Sequence, residues 1–148
     1  MADLVFTVFT SLDGYIEKPG GVFAPPPWSE EVGEAWSHAA LSRAKHLIYG
    51  RVNFLFNKGF WSPAETDPTS VAAGISYAAQ MNALPKTVFS RTLTGDPGCN
   101  ARIAGPDLPA EIARLKREVT GGDIFAFGGS SLANSLLAAD LVDEFWLM

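Results

Sequence analysis

Short apolar runs alternate along this chain with stretches whose apolar positions recur every three or four residues. Residues 124–127 are four apolar residues in a row, which is typical of a strand covered on both faces. The leucines that follow recur at helical spacing: Leu132, Leu136, Leu137 and Leu141. A buried strand is therefore predicted to pass through Gly128 and Gly129 directly into a helix.

The same pattern divides the rest of the chain into strands and helices. Further strands are predicted over residues 4–9, 47–49, 87–89, 101–104 and 142–148. Further helices are predicted over residues 29–46, from residue 51, and over residues 70–82 and 108–119. Strands that alternate with helices form parallel pairs linked by right-handed crossovers. The predicted fold is therefore α/β, with three α/β/α layers in which helices flank a mostly parallel central sheet.

The first predicted helix has a clear start and an apolar stripe. Ser29 is its expected N-cap, and the acidic residues Glu30 and Glu31 suit the positive end of the helix dipole. The stripe consists of Val32, Ala35, Trp36, Ala39, Ala40, Arg43 and Ala44. This spacing predicts an amphipathic helix that ends at about His46.

Composition and charge narrow the class of protein. The chain has 148 residues, 47% of them hydrophobic, so residues 1–148 are expected to form a single domain with one core. The net charge of −5 argues against binding to nucleic acid. With neither a signal peptide nor a membrane-length apolar run, a cytoplasmic protein with no membrane partner is expected. Cys99 is the single cysteine and no Cys/His grouping has metal-ligand spacing, so no metal is expected.

Three of the predicted strands end in residues suited to phosphate. One ends at Gly50 and Arg51, a second at Ser90, Arg91 and Thr92, and a third at Gly128, Gly129, Ser130 and Ser131. Glycine lets the backbone approach a ligand closely, a helix N-terminus offers free N–H groups, and arginine adds a fixed charge. Ligands of parallel sheets bind at the carboxyl ends of the strands, so these residues are expected to meet at a dinucleotide with one further phosphate, NADP rather than NAD.

Each of these signals also has a structural explanation. The two glycines could form a tight turn between strand and helix, with Ser130 as the N-cap of the helix. Arg51 could be an exposed arginine that follows a turn. The convergence of three strand ends favours the phosphate-binding interpretation.

The order of these motifs resembles the dihydrofolate reductase superfamily, particularly the reductase domain of the bifunctional riboflavin-biosynthesis deaminase-reductase and its stand-alone relatives. The resemblance rests on residues 11–16 (SLDGYI), 47–51 (LIYGR), 85–93 (PKTVFSRTL), 123–132 (DIFAFGGSSL) and 141–144 (LVDE). It implies an NADPH-dependent reductase that transfers a hydride to a pteridine- or pyrimidine-like heterocycle, similar to 5-amino-6-(5-phosphoribosylamino)uracil reductase of riboflavin biosynthesis. A homodimer is also expected.

The resemblance also implies individual cofactor contacts. It implies that the pyrophosphate of NADPH lies at Gly128, Gly129, Ser130 and Ser131. It implies that the adenosine 2′-phosphate lies at Arg51, Ser90 and Arg91, and that Ile16 packs near the nicotinamide. The remaining expected cofactor-binding residues are Gly50, Val52, Asn53, Thr92 and Leu132. Trp28 is the expected substrate contact.

Hydride transfer asks the protein for alignment of two rings, exclusion of water and one proton source. The candidates for a proton donor or substrate-orienting carboxylate are Glu30, Glu31, Glu34 and, in the facing loop, Asp13. Glu31 is preferred because it lies nearer the edge of the apolar stripe than Glu34. Asp13 remains the second candidate for a catalytic acid. The helix dipole alone also favours an acid at position 31. The two histidines, His38 and His46, are interpreted as a surface and a helix-end residue.

The chain departs from the family pattern at several positions. Asn53 stands where the family usually has threonine, so that cofactor contact is expected to differ. Gly33 stands five residues after Trp28, where dihydrofolate reductases have an acid, which argues against dihydrofolate as the substrate. Thr7 stands where the riboflavin branch tends to have lysine, which weakens the case for a phosphoribosyl substrate. The final hairpin usual in the family is not found after Met148, so it is expected either to be absent from the protein or to lie beyond the given sequence.

Two other functions remain open. A non-catalytic NADP(H)-binding or regulatory module on the same fold would fit the lack of a clear catalytic acid. A structural dimerisation domain would bind no nucleotide and would build its interface from aromatic residues, namely Trp28, Trp36, Phe54, Phe60 and Trp61.

Overall fold

The structure, a computed structural model, describes residues 1–22 and 29–148. The strands are β1 (Leu4–Val8), β2 (Ala44–Gly50), β3 (Lys86–Phe89), β4 (Ala101–Ile103), β5 (Asp123–Phe127) and β6 (Glu144–Leu147). The helices are α1 (Glu30–Arg43), α2 (Arg51–Trp61), α3 (Ala78–Ala83), α4 (Leu108–Glu118) and α5 (Ser130–Ala138), with 3₁₀ turns at Ser62–Glu65 and Val71–Gly74. Most predicted elements agree with these bounds to within two residues.

One sheet forms the middle layer. Its strands lie in the order β4-β3-β2-β5-β1-β6, and all of these neighbours are parallel. Helices α1, α2 and α3 pack on one face, here called the α1 face, against strand residues such as Val5 and Phe125. Helices α4 and α5 pack on the other, the α4 face, against residues such as Leu4 and Ile48. The predicted α/β/α layering around a parallel sheet is confirmed.

Two neighbouring central strands send the chain in different directions. After β2 the chain continues into α2 on the α1 face, whereas after β5 it continues into α5 on the α4 face. A parallel sheet opens a crevice at the carboxyl ends of its strands where such a switch occurs. The ends of β2 and β5 therefore border a crevice, here called the β2–β5 crevice.

Arg43 closes the opposite, amino-terminal end of the sheet. As the last residue of α1, it donates through Nε to Asp123 Oδ2 and through Nη2 to Glu144 Oε2, each at 2.9 Å. The hydrogen bond to Glu144 is the largest cause that raises the pKa of Arg43 above its ordinary value. These contacts anchor the C-terminus of α1 to the first residues of β5 and β6. Because α1 runs antiparallel to the strands, its N-terminus lies at the carboxyl edge of the sheet.

The predicted helix over residues 29–46 is wrong at its C-terminal end. The helix ends at Arg43, and residue 46 lies in β2. His46 is therefore a buried strand residue, not a helix-end one, and its Nε2 lies 2.8 Å from Thr87 Oγ1 on β3. Pairing of residues 44–46 with β5 overrides the helical continuation suggested by the local pattern. The other histidine, His38, is exposed, as predicted.

The apolar stripe predicted for α1 is also partly wrong. The buried residues of the helix and its cap are Gly33, Ser37, Ala40, Leu41 and Ala44. Ala35 and Ala39 are exposed. Small residues let the helix lie close to the sheet, and the large Trp36 is directed toward β6, where its ring centroid lies 5.5 Å from that of Trp146.

Helix ends give two further outcomes. Ser29 caps α1 as predicted, since its Oγ accepts from Val32 N at 3.1 Å. Ser130 is not an N-cap; it is the first residue of α5, and Gly129 occupies the cap position without a side-chain hydrogen bond. The predicted tight turn between strand and helix is therefore present, but the serine cap predicted with it is wrong.

The predicted helix over residues 70–82 is two separate elements. A 3₁₀ turn ends at Gly74, Ile75 is extended with φ −95° and ψ 122°, and α3 begins at Ala78. Glycine is the weakest helix former apart from proline, and Gly74 stands at the break between the two elements.

Across the described part of the chain, no helix is long and apolar enough to cross a membrane.

Candidate functional site

The structure brings the three predicted strand ends together. The order β3-β2-β5 makes them neighbours, so Ser90 after β3, Gly50 at the end of β2 and Gly128 after β5 lie at one edge of the sheet. A Cβ added to Gly50 would lie 3.6 Å from the Cβ of Leu132 in α5. The N-termini of α2 and α5 therefore approach each other across the β2–β5 crevice.

Neither of these two helices has a side-chain cap. The cap residues are Gly50 for α2 and Gly129 for α5, and no side chain hydrogen-bonds to the first N–H groups of either helix. Free N–H groups and the positive end of a helix dipole both favour an anion. Two such ends at one crevice can hold a ligand that carries more than one negative group.

The turn between β5 and α5 requires glycine. Gly128 has φ +67° and Gly129 has φ +91°, conformations that side chains disfavour. Gly128 N donates to Thr7 O at 2.9 Å, which fixes the turn to β1. The side-chain amide of Asn53 donates to the carbonyl of Phe127, the residue before the turn. The backbone at this end of the crevice is thus held from both sides.

Asn53 begins a ladder of polar side chains along α2. Asn57 Nδ2 donates to Asn53 Oδ1 at 3.0 Å, and Trp61 Nε1 donates to Asn57 Oδ1 at 3.2 Å. The ladder orients the amide of Asn53 toward Phe127, so this side chain braces the wall of the crevice. Sequence reasoning singled out Asn53 as a departure but missed Asn57, although the spacing of four residues along a helix was a usable signal.

Two arginines lie at the edge without partners. Arg51 and Arg91 are exposed, and neither makes an ion pair or hydrogen bond with any described residue. Ser90 Oγ accepts from Thr92 N at 3.2 Å and from Leu93 N at 2.9 Å, which shapes the turn that carries Arg91. Both guanidinium groups therefore stay available to an anion.

The other residues expected to bind the cofactor differ in the solvent exposure of their side chains. Val52, Thr92 and Ser131 are exposed, and Ser130 is half-buried. Leu132 is buried in the core of the α4 face, so its side chain serves packing.

The loop after β1 is tied into a compact turn. Ser11 Oγ donates to Asp13 Oδ1 at 2.5 Å, and Tyr15 N donates to Ser11 Oγ at 3.0 Å. Asp13 is exposed, and Ile16 is half-buried. At the base of the loop, Thr10 N donates to Met148 O at 2.7 Å, which joins the loop to the segment after β6.

A groove of about 520 Å³ runs between α1 and β6 on the α1 face. It is lined by Glu31, Val32, Ala35, Trp36, Ala39, Trp146 and Met148. Glu31 is its single charged lining residue among those described, and it stands at the carboxyl edge of the sheet. The preferred acid thus has a cavity beside it, although the aromatic wall from β6 was not predicted. We call this cavity the α1–β6 groove.

Three of the sequence-based candidates have other outcomes. Glu30 is exposed and does not line the α1–β6 groove. The side chain of Glu34 and the whole of Trp28 lie outside the described residues.

Two buried hydroxyl groups on the α1 face lack partners. Thr7 Oγ1 and the Tyr49 hydroxyl are buried, and each is without a hydrogen-bond partner in the described structure. Burial raises the pKa of the Tyr49 phenol.

In residues 1–22 and 29–148, no group of three or more His, Cys, Asp or Glu side chains is placed to hold a metal ion.

A second cavity of about 280 Å³ lies at the amino-terminal end of β2 and includes Lys45 and His46 in its lining. Its arginines are already paired: Arg102 with Glu111, and Arg114 with Glu111 and Glu118. Because these charges are neutralised and the cavity is at the opposite end of the sheet, it takes no part in the candidate site.

Comparison with known proteins gives one family and several relatives. The family model described as the RibD C-terminal domain matches residues 2–148. A sequence relative, the uncharacterised protein YyaP of Bacillus subtilis (strain 168), is 27% identical over 144 residues, which cover 97% of this chain and 72% of that protein.

Two solved structures resemble the fold. One is a protein provisionally assigned to riboflavin biosynthesis from Shewanella sp. PV-4, with a TM-score of 0.65 and 25% identity over 99% of this chain and 75% of that one. The other is a diaminohydroxyphosphoribosylaminopyrimidine deaminase/5-amino-6-(5-phosphoribosylamino)uracil reductase from Thermotoga maritima, with a TM-score of 0.57 and 14% identity over 93% of this chain and 42% of that one. The second likeness concerns the fold alone.

Proposed function

We propose that this chain, which belongs to the RibD C-terminal domain family, is an NADPH-dependent reductase that transfers a hydride to a pteridine- or pyrimidine-like heterocycle. The observation that carries the proposal is the meeting of two uncapped helix N-termini at the β2–β5 crevice. Crevices at such a switch in strand order are where α/β sheets bind nucleotides.

The residues around the crevice fit the charges of NADPH. The backbone of residues 128–131 and the start of α2 would hold the pyrophosphate, and Arg51 and Arg91 would hold the 2′-phosphate. When bound, NADPH supplies the hydride. The protein supplies alignment of the rings and an environment without water.

Three parts of this chain would perform those tasks. Asn53 braces the Phe127 carbonyl and keeps the glycine turn in place. The loop that carries Ile16 would cover the nicotinamide side, and Glu31 would orient the substrate or deliver the proton from the rim of the α1–β6 groove.

The related proteins support a reductase of this class. The Thermotoga protein is named as a uracil reductase as well as a deaminase, and the Shewanella protein is provisionally assigned to riboflavin biosynthesis. Both share the fold of this chain, and the family model covers nearly all of it. The substrate of this chain is accordingly proposed as a heterocycle of that chemical class.

Calorimetric titration with NADPH and NADH tests the cofactor. We expect NADPH to bind more tightly, and Arg91→Ala to weaken it by about 1.5–3 kcal/mol, the value of a charge-assisted contact. NADH affinity should change little. Arg117→Ala, at an exposed arginine of α4, is the matched control and should alter neither. Failure to bind NADPH would overturn the proposal, and equal affinity for both cofactors would overturn the role of the arginines.

The non-catalytic NADP(H)-binding module is the second candidate function. It is favoured by the exposure of Glu31 and Asp13, since neither acid is held in the dry environment that tunes a proton donor. Loss of NADPH absorbance in the presence of an aminouracil or pterin would rule this candidate out.

A further inference from the structure

The glycine turn between β5 and α5 carries three backbone donors without acceptors. The N–H groups of Gly129, Ser130 and Ser131 make no hydrogen bond to any described residue. Successive N–H groups at a helix N-terminus suit a phosphate group. They can bind it only while the backbone keeps them directed at the ligand, and glycine offers little resistance to rotation of its peptide planes. Other parts of the fold must therefore hold the turn.

One peptide plane of the turn is held at both of its ends. The carbonyl of Phe127 accepts from the Asn53 amide, and the N–H group of the next residue, Gly128, donates to Thr7 O at 2.9 Å. The Asn53 side chain also lies against the turn, because a Cβ added to Gly129 would be 3.7 Å from Asn53 Cβ. Rotation of this plane would break both hydrogen bonds and turn one carbonyl oxygen toward another.

The Asn53 amide can hold that carbonyl in only one of its two orientations. A side-chain amide has an acceptor oxygen and a donor nitrogen, and rotation by half a turn exchanges them. With its oxygen toward Phe127, two oxygens would face each other and the hydrogen bond would be lost. The next contact along α2 selects the orientation, because Asn57 Nδ2 donates to Asn53 Oδ1 at 3.0 Å.

The indole of Trp61 sets the direction of the whole polar ladder along α2. An indole N–H group donates and cannot accept, and here Trp61 Nε1 donates to Asn57 Oδ1 at 3.2 Å. The Asn57 oxygen is therefore committed to the indole, and the Asn57 nitrogen to Asn53. With a donor at one end and the Phe127 carbonyl, which only accepts, at the other, the two amides between them have a single hydrogen-bonded arrangement.

The indole end of the ladder is itself fixed by neighbouring elements. Asn82 Nδ2 donates to Trp61 O at 2.9 Å, and the rings of Trp61 and Tyr77 lie 5.6 Å apart between centroids. Asn82 is buried in α3, and its backbone carbonyl accepts from Nζ of the buried Lys86 at 3.0 Å. The ladder thus extends from a well-packed part of the α1 face to the glycine turn.

We propose that Asn57 and Trp61 are positioning residues for phosphate at the glycine turn. They act through Asn53. The indole sets the orientation of both amides, and the Asn53 amide keeps the peptide plane before Gly128 in the orientation that leaves the following N–H groups to the ligand. This inference rests on the proposed function, because the phosphate concerned is the pyrophosphate of NADPH.

Asn57→Asp reverses the hydrogen bond in the middle of the ladder. Aspartate accepts from the Trp61 indole as asparagine does, but it has no N–H group for Asn53. It instead accepts from the Asn53 nitrogen and draws it away from the Phe127 carbonyl. Calorimetric titration should then show NADPH and inorganic pyrophosphate bound about three to ten times more weakly, the effect of one lost hydrogen bond. Unchanged affinity for both ligands would overturn the proposal.

Two controls separate this effect from that of the added charge. Asn134→Asp adds the same charge at an exposed asparagine of α5, where solvent and salt screen it, and should change either affinity by less than about twofold. In an Asn53→Ala background the ladder does not reach the turn, so Asn57→Asp should have no larger effect than Asn134→Asp. An equal loss with and without Asn53 would show that Asn57→Asp acts through its charge, and would overturn the proposal.

Trp61→Phe tests the indole without adding a charge. It keeps an aromatic ring beside Tyr77 but removes the donor, so both ligands should bind more weakly in the parent background and not in Asn53→Ala. Parent-like binding would overturn the role of Trp61.

A measurement on the parent protein makes the test independent of how well the variants fold. Coupling between sites is reciprocal, so a ligand that needs the turn held also stabilises the ladder. Hydrogen exchange at the Trp61 indole, followed by NMR, should slow when inorganic pyrophosphate is added. Exchange at an unchanged rate under saturating pyrophosphate would overturn the proposal.

The use of two ligands separates this proposal from the proposed function. If the parent binds pyrophosphate but not NADPH, and the variants behave as expected, the proposed function fails and the positioning role stands. If NADPH binds and Asn57→Asp has no effect, only the positioning role fails. If the parent binds neither ligand, both fail.

Discussion

Tyr49 is among the largest fully buried side chains of the protein, and its hydroxyl has no hydrogen-bond partner in the described structure. A buried polar group without a partner costs stability, because the group gives up its hydrogen bonds to water on folding. We expect Tyr49→Phe to raise the free energy of unfolding by about 1 kcal/mol. Urea denaturation followed by circular dichroism would measure the change.

The control for this substitution is Tyr15→Phe. Tyr15 is an exposed tyrosine in the loop after β1, so loss of its hydroxyl should change stability by less than about 0.5 kcal/mol. Destabilisation by Tyr49→Phe would mean that the hydroxyl makes a hydrogen bond in solution.

His46 gives the fold a pH dependence. Burial, reinforced by the positive charge of Arg114, lowers the pKa of His46 from 6.5 to about 4. The unfolded chain therefore binds the proton more readily, so stability is fully present above pH 6.5 and falls as the pH drops from 6.5 to about 4. The contribution is about 3 kcal/mol across that interval.

Comparison of variants isolates this contribution from the titration of carboxylates. His46→Gln keeps a polar group beside Thr87 but cannot take up the proton, so its stability should fall less steeply between pH 6.5 and 4 than that of the parent. His38→Gln, at the exposed histidine, should follow the parent. Parallel curves for all three proteins would contradict the prediction.

The sequence predicted which residues border the crevice, but it did not predict the hydrogen bonds that those residues make. Glycines and arginines after apolar runs are local signals, so Gly128, Gly129, Arg51 and Arg91 could be selected without any knowledge of contacts. The bond from Asn53 to the Phe127 carbonyl joins residues 74 positions apart, and no local pattern predicts it. The α1–β6 groove was not predicted for the same reason, because its lining comes from two segments that are distant in the sequence.

The glycine turn before α5 shows how an element end depends on one backbone conformation. Gly129 has φ +91°, and a Cβ there would meet Asn53 Cβ at an ordinary 3.7 Å. Substitution by alanine is therefore penalised by backbone strain rather than by a collision, at about 1–2 kcal/mol. We expect Gly129→Ala to lower stability by that amount and to weaken NADPH binding.

Gly59→Ala is the matched comparison for this glycine. Gly59 lies within α2, where an added Cβ would meet nothing within 4 Å. Alanine in a helix interior is more stable than glycine by about 0.5–1 kcal/mol, so this variant should gain stability. Thermal unfolding of the two variants should shift in opposite directions, and shifts of the same sign would refute the argument.

Element boundaries were predictable where caps and breakers coincide with the pattern. Ser29 and the Pro109 that follows Leu108 mark real helix starts. The end of α1 was not predictable, because residues 44–46 continue a helical pattern locally and become a strand only through pairing with β5. The buried face of α1 was predicted only in part: Ala40 and Ala44 are buried as expected, whereas the buried Gly33 and Ser37 carry no apolar signal in the sequence.

At the scale of the whole molecule, the other described residues leave apolar surface of the outer strand β6 uncovered. Phe145 and Leu147 point to the α4 face and are 44% and 64% exposed. An exposed, apolar edge strand is a surface suited to association. We therefore propose that the predicted homodimer forms through β6, and expect sedimentation velocity to give twice the mass of one chain.

Leu147→Asp should shift that equilibrium toward the monomer, because it places a charge on the apolar edge. Val71→Asp, at an exposed valine of a 3₁₀ turn, should leave the mass unchanged. A parent protein that sediments as a monomer at all concentrations would contradict the proposed dimer.

The layer order of the molecule follows from the alternation of strands and helices, which is why the α/β/α fold was predictable. The strand order was not, because β4 and β5 are consecutive along the chain yet separated by two strands in the sheet. The position of the crevice depends on that order, whereas the sequence predicted only that three strand ends would meet at one edge of the sheet.

The polar ladder along α2 gives the crevice an intrinsic optical reporter. The indole N–H of Trp61 is bonded to Asn57, Asn57 to Asn53, and Asn53 to the last carbonyl before the glycine turn. A ligand that moves that turn alters the hydrogen bond of a half-buried indole and hence its emission wavelength. We accordingly expect occupancy of the crevice to change the tryptophan fluorescence of the protein.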